Sequence, residues 1–256
     1  MNLLIFSHSD YSYLWPIIEE TIEPLFKLNP IFISNKTSIA KPIGFTQYIE
    51  YDDSDCYSKR WIHILPQIAS THILVVHDIN IIISCDIDKI QKLFTIVAEY
   101  NIDRCSMNIF YSSTYIVIDD DLQICDLNAD DIQAKTFVPY DLCSAIWKKN
   151  SFLQLWNQFP EETYKTSELN DSLQSYCKHQ LKCYGIRYNQ QTPIYHCIGR
   201  PYHRIYKILH ITIKGEITYP VEVYMDMKDD FLRLFEKYNL KDKIPINNNY
   251  GFILGK

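Results

Sequence analysis

Two apolar runs end in residues that can do chemistry. Leu3-Leu4-Ile5-Phe6 runs into Ser7-His8-Ser9-Asp10, and Ile73-Leu74-Val75-Val76 runs into His77-Asp78-Ile79-Asn80, after which Ile81-Ile82-Ile83 resume apolar character. Asp78 is thus a carboxylate set between two apolar stretches. In open α/β sheets, ligands bind in the crevice outside the carboxyl ends of the strands. If both runs are central parallel strands, their polar ends meet there and Asp78 lies on the floor of a pocket. A carboxylate is a hard oxygen ligand, and Asn80 offers a carbonyl oxygen. Nucleotide phosphates would complete the shell of a divalent cation. The chemistry this pattern suits is binding of a cation and a diphosphate. His77 is a further potential ligand, although strand alternation points it away from Asp78.

The flanking elements must bring those ends together. Leu14, Trp15, Ile18, Ile22, Leu25 and Phe26 recur at helical spacing, with Ser12 as a cap and Pro16 in the first turn. Strands are expected at residues 31–33 and 48–51, and a helix carries Trp61, Ile64, Leu65 and Ile68 on one face. The first eighty residues therefore read β-α-β-β-α-β, the alternation of a doubly wound, mostly parallel sheet with helices on both faces. A helix over residues 87–100 follows, then strands at 107–111, 115–118 and 122–125, with residues 119–121 as a turn. Beyond them the pattern is mixed α+β. Residues 152–159, 168–181 and 229–238 read as helices, 186–198 and 206–217 as extended, and 247–256 as a surface extension.

Composition limits the function classes. The chain has 256 residues, 47% hydrophobic and 22% charged, enough for a substantial core. A net charge of -6 without a Lys/Arg cluster disfavours general nucleic-acid binding. The six glycines form no phosphate-cradling loop, so phosphate must be held by side chains or a metal. Eight cysteines without paired CxxC spacing read as reduced, mostly buried thiols. The N-terminus lacks the features of a signal peptide, and no apolar run reaches membrane-span length, so a soluble cytoplasmic protein is expected. No repeat or linker divides the chain. A single domain is expected over residues 1–256, with 1–104 as a nucleotide-binding half and 105–256 as an acceptor-side half and C-terminal extension.

Three blocks in order resemble a known family: residues 7–26 (SHSDYSYLWPIIEETIEPLF), residues 57–82 (YSKRWIHILPQIASTHILVVHDINII) and residues 144–156 (SAIWKKNSFLQLW). They look like the small GT-A-fold glycosyltransferases of bacterial surface-polysaccharide loci and large DNA viruses, over about residues 1–170. The resemblance implies a GT-A-like fold and transfer of a sugar from a nucleoside-diphosphate donor, UDP-linked by preference, to a hydroxyl of a glycan or glycoconjugate acceptor. It implies a divalent cation, Mn2+ or Mg2+, and location in the cytoplasm, that of the host if the source is viral. Carried onto this chain, Ser7 and Asp10 would lie near the nucleoside, Arg60 would approach the nucleotide, and Asp78 would hold metal, ribose or phosphate. Asn80 stands where the motif has a second carboxylate, which weakens the metal site.

An inverting transferase needs a carboxylate to deprotonate the acceptor. Glu161, Glu162, Glu168 and Asp171 are the candidates; Glu168 is preferred because it would open a helix behind Thr166 and Ser167. Simpler readings stand beside these. Asp10 and Ser12 suit helix capping, Lys59 and Arg60 a solvated helix face, and Asp86 with Asp88 a helix N-terminus, although that pair is the runner-up metal site. Trp61, Trp147 and Trp156 suit the core, with Trp147 the candidate sugar platform; Arg200 and His203 are candidate diphosphate contacts or an edge loop. Two alternatives remain open: a non-catalytic nucleotide- or glycan-binding relative with the same fold, and a sugar nucleotidyltransferase.

Overall fold

The computed structural model describes residues 1–130, 139–189, 194–197, 200–203, 206–210, 212–213, 216–217 and 228–243. The opening β-α-β-β-α-β order is present: β1 (Asn2–Phe6), α1 (Trp15–Thr21), β2 (Ile31–Asn35), β3 (Gln47–Tyr51), α2 (Tyr57–Ile64) and β4 (His72–His77). The expected long first helix is broken into three pieces. A 3-10 helix over Ser9–Leu14 precedes α1, and another over Glu23–Leu28 follows it. Pro16 and Pro24 sit in the first turns of the second and third pieces. Proline has no N–H to donate and its ring crowds the preceding turn, so each new segment starts at one. Ser12 caps nothing; the cap is His8, whose Nδ1 accepts the N–H of Asp10.

β5 (Asn80–Cys85) follows β4 after a two-residue turn but leaves the main sheet. Next come α3 (Ile87–Glu99), β6 (Arg104–Phe110), β7 (Tyr115–Val117), β8 (Gln123–Asp126), β9 (Ala145–Lys148), α4 (Lys149–Gln158), α5 (Asp171–Gln180) and β10 (Cys183–Arg187). Asp86 caps α3 by accepting the Lys89 N–H, which explains the Asp86-Ile87-Asp88 sequence. Short strands follow: β11 (Ile194–Cys197), β12 (Arg200–His203), β13 (Tyr206–His210), β14 (Thr212–Ile213) and β15 (Glu216–Ile217), then α6 (Lys228–Lys237). The 247–256 extension lies outside the described residues.

The main sheet runs β3-β2-β1-β4-β9-β6-β10-β8-β7. Along this path only β9 and β8 oppose the other strands. β12 joins β6 at Asn108 and pairs with β11, while β13 pairs antiparallel with β5 apart from the main sheet. Alternation sorts the side chains into two cores. Leu3, Ile5, Leu74 and Val76 face α1 and α3; Leu4, Phe6, Ile73 and Val75 face α2 and α4. Burial on both faces explains why β1 and β4 read as continuous apolar runs.

Trp147 is core, the reading preferred for it, and not a sugar platform: it is 3% exposed, stacked on Phe152 at 4.6 Å, with the Arg104 guanidinium 5.5 Å from its ring centre. Glu168 opens no helix; α5 begins at Asp171, behind Asn170, whose Oδ1 accepts the Leu173 N–H at 3.0 Å.

Arg104 is a buried cation. It donates to Pro139 O at 3.0 Å and to Asp141 Oδ1 at 2.5 Å, while Asp141 also accepts from Asn108 Nδ2 and the Cys143 N–H. Removing one partner leaves a buried charge unpaired, which is far costlier than the pair is stabilising. Asp141→Ala should therefore destabilise the fold by about 3–5 kcal/mol in urea denaturation. A loss below about 1 kcal/mol would show that water reaches Arg104.

Candidate functional site

β1 and β4 are adjacent and parallel, with Phe6 paired to His77, so Ser7 and Asp78 leave the sheet side by side. Ser7 Oγ donates to Asp78 Oδ2 at 2.6 Å, and the His8 N–H donates to the same oxygen at 3.2 Å. Ser7 is itself fixed: Trp15 Nε1 donates to its Oγ at 2.7 Å, and the Tyr51 hydroxyl donates to its carbonyl at 2.7 Å. Asp78 is 5% exposed. Burial pushes its carboxyl up to about 6, against the lowering effect of Ser7, the His8 and Ile79 N–H groups and His8. Burial, and next the Asp78 charge, also push up the Tyr11 phenol beside it.

A polar cluster lines the neighbouring ends of β1, β2 and β3. His8 Nδ1 is an acceptor, so its Nε2 carries the proton and donates to Asp53 Oδ1 at 3.0 Å. Asn35 Nδ2 donates to Asp53 Oδ2 at 3.0 Å, and Asn35 Oδ1 accepts the Ser9 N–H at 2.8 Å. Arg60 braces the following loop. It donates to Asp53 O at 3.0 Å and Asp55 O at 2.8 Å, with its guanidinium 4.5 Å from the Tyr51 ring centre. Ser7, Arg60 and Asp78 are therefore gathered at one sheet edge, and the Asp10 side chain, 82% exposed, points outward beside them. His8, Asn35 and Asp53 were not among the expected site residues. Asn35 carries the signal used for Ser7 and Asp78, a polar residue ending an apolar strand; Asp53 lies in the loop between β3 and α2 and carries no such signal.

The other flank is a hydrogen-bonded aromatic wall. His77 Nδ1 faces Leu142 O at 3.0 Å and therefore carries the proton, leaving Nε2 to accept from the Tyr57 hydroxyl at 2.9 Å. Burial pushes the phenols of Tyr57 and Tyr140 up. With both nitrogens engaged, His77 is not a ligand for a cation. Tyr164 lies across this wall, its ring centre 5.4 Å from that of Tyr57 and 5.5 Å from that of His77. Burial, then Tyr57 and Asp78, push its phenol up.

Glu168 Oε1 accepts the Leu142 N–H at 2.5 Å, and Gln174 grips both the N–H and the carbonyl of Tyr140. Glu168 thus braces backbone. The other candidate bases are also engaged or outlying: Glu161 pairs with Lys59 at 2.8 Å, Glu162 accepts from Thr166 and Asn170, and Asp171 is exposed in the first turn of α5.

Asn80 opens β5 and lines a small cavity with Ile5, Ile18, Thr21, Ile22 and Ile82. Asp78 instead faces Ser7 and His8. Among the described residues no three His, Cys, Asp or Glu side chains converge to hold a metal. Asp78 and Asn80 thus do not fit the paired oxygen ligands of the acidic motif. The Arg200 and His203 side chains lie outside the described residues. No described helix is long and apolar enough to cross a membrane.

No family model matches the chain, and no curated protein matches significantly. Solved structures share its general shape. HddC from Yersinia pseudotuberculosis has a TM-score of 0.48 at 10% identity, covering 90% of this chain and 100% of that one. An apo UDP-glucose pyrophosphorylase has a TM-score of 0.48 at 8% identity, covering 91% and 99%. S. aureus TarS 1-349 has a TM-score of 0.44 at 8% identity, covering 74% and 58%.

The raised Asp78 carboxyl sets a sign for stability. The folded state binds this proton more tightly than the unfolded state, so Asp78 lowers stability as pH rises from about 4 through about 6. Asp78→Asn removes that penalty. Relative to wild type it should gain up to about 3 kcal/mol between about pH 4 and about pH 8, read from urea midpoints. A gain in the opposite direction would mean that the native site favours the charged carboxylate.

Proposed function

We propose that this chain is a GT-A-like glycosyltransferase that takes a nucleoside-diphosphate sugar, preferably UDP-linked, and transfers the sugar to a hydroxyl of a glycan or glycoconjugate. The observation that carries the reading is the convergence of Ser7, His8, Asn35, Asp53, Arg60 and Asp78 at the carboxyl ends of four parallel neighbouring strands. That is the edge where open α/β sheets bind nucleotides. The first two of the three sequence blocks that resemble the family supply Ser7, Arg60 and Asp78.

The chemistry follows from the hydrogen-bond inventory. Asn35 and Asp53 present amide and carboxylate groups suited to the edge of a nucleobase. Asp78, already held by two donors, suits hydrogen bonding to a ribose hydroxyl better than binding a hard cation. In the transfer, the acceptor oxygen bonds to the anomeric carbon as the carbon–oxygen bond to the diphosphate breaks, and the acceptor proton passes to a base. Glu168 is assigned the bracing role, because its Oε1 is committed to Leu142.

One specific observation favours a second reading, a non-catalytic nucleotide-binding relative: Asn80 lines a small cavity with Ile5, Ile18 and Ile22, and Glu168 braces backbone. Calorimetry with UDP and GDP sugars, on wild type and Asp78→Ala, tests the site. Binding of one nucleotide, weakened at least about tenfold by Asp78→Ala and unchanged by EDTA, is expected. Absence of nucleotide binding sinks both readings. Donor hydrolysis or transfer then separates the transferase from the silent binder, and pyrophosphate release would point instead to a sugar nucleotidyltransferase. Glu168→Gln keeps an oxygen for Leu142 and should leave turnover within about threefold; a loss of about a hundredfold or more would restore Glu168 as the base.

A further inference from the structure

The sheet edge that holds Asp78 continues past it. β4, β6 and β10 run in one direction, so their carboxyl ends lie along the same edge. Ile73, Arg104 and Cys183 lie level through Trp147 of β9, and β6 has two extra residues between Ser106 and Ile109, so His77 comes level with Phe110 and Arg187, and Asp78 with Tyr111 and Tyr188. Tyr111 follows β6 directly. Tyr188 follows β10, with its N–H donating to Phe110 O at 2.8 Å. β6 and β10 lie two and three strands from β4, about 10 and 14 Å across the sheet.

The side chains here are held in place yet open to solvent. Tyr111 is 46% exposed, and its ring centre lies 4.9 Å from that of Tyr188. On the other face of the sheet the Arg187 guanidinium lies 3.9 Å from the Tyr115 ring centre. Arg187 is pinned in turn, donating to Ser112 O at 2.7 Å and Gln123 Oε1 at 2.6 Å. Single exposed aromatics are ordinary; two rings fixed against each other, level with Asp78 on the edge that carries the candidate site, mark a binding surface.

The chemistry of the surface selects the class of ligand. Each tyrosine shows an apolar face and a polar end. A nucleic acid would want several cations, and the chain carries a net charge of -6. A lipid would want a continuous apolar face, which the phenols interrupt. A saccharide offers the complement: apolar C–H faces that stack on rings, within a rim of hydroxyls that meet phenols.

We infer that Tyr111 and Tyr188, with the turn after Tyr111 held by Arg187, form a subsite for an oligosaccharide chain whose reacting end extends toward Asp78. The direction of the chain rests on the glycosyltransferase reading; the subsite itself rests on the rings.

Calorimetric titration of the full chain with maltohexaose, cellohexaose and chitohexaose, with glucose and UDP as comparisons, tests it. At least one hexasaccharide should bind, more tightly than glucose. Its dissociation constant should rise about tenfold in the Tyr111→Ala/Tyr188→Ala double variant and stay near the wild-type value in Tyr111→Phe/Tyr188→Phe, while UDP binding is unchanged. Tyr111→Ala alone, at a half-exposed position, carries the test if the double variant fails to fold. UDP binding with no hexasaccharide binding would overturn the subsite and leave the donor reading intact. Hexasaccharide binding lost in the alanine variants, without any UDP binding, would keep the subsite and sink the transferase. Hexasaccharide binding undiminished by the alanine substitutions would overturn the subsite.

Discussion

The Ser7–Asp78 hydrogen bond is the interaction on which the arrangement of the sheet edge depends. It joins the first residues beyond two adjacent parallel strands, and each partner is fixed by others: Ser7 by Trp15 and Tyr51, Asp78 by the His8 N–H and by its own N–H donating to Phe6 O. A carboxylate taken this far from water is tolerated because several donors converge on it. The same donors hold the turn after β1 in the tight 3-10 form that presents His8 and Ser9 to Asn35 and Asp53. Without the Ser7–Asp78 contact, the link between the β1 and β4 ends would fall to the His8 N–H on Asp78 and the Phe6–His77 ring contact.

A second constraint acts from the other flank. Residues 139–143 cross the sheet edge as a strap gripped at nearly every residue. Arg104 binds Pro139 and Asp141, Gln174 binds Tyr140, and His77 and Glu168 bind the carbonyl and N–H of Leu142. Outside a helix or sheet, such a segment must find partners for its backbone groups among side chains. Here three of those partners are charged or titratable residues that would, in isolation, be taken for catalytic groups. His77 and Glu168 have a structural employment that accounts for their burial and placement, and the pocket wall of Tyr57, Tyr140 and Tyr164 is fixed by the same contacts.

Much of the first half was legible from periodicity. β1, β2, β3 and β4 are apolar runs of strand length, and Asp86 before a strongly periodic helix is a capping pattern that the structure repeats. Other positions needed the folded structure. Trp147 was ambiguous because aromatic residues serve cores and platforms alike, and only its contact with Phe152 and Arg104 decides which. The helix assigned to residues 14–26 broke because local proline geometry overrode an apolar spacing that continued across Pro16 and Pro24. Glu168 was chosen by its distance from expected cap residues, whereas its contact is with Leu142, 26 positions away in the chain.

The sequence by itself determined which residues end the strands in polar groups, because alternation and strand length are local properties. It therefore named Ser7 and Asp78. It could not name Asn35 and Asp53 as their company, nor turn His77 and Glu168 into braces. Those assignments depend on strand order and on contacts between residues far apart in the chain, such as His8 with Asp53 and His77 with Leu142. A hydrogen bond fixes its partners by position in space, and only the folded sheet, with β1 set between β2 and β4, supplies that position.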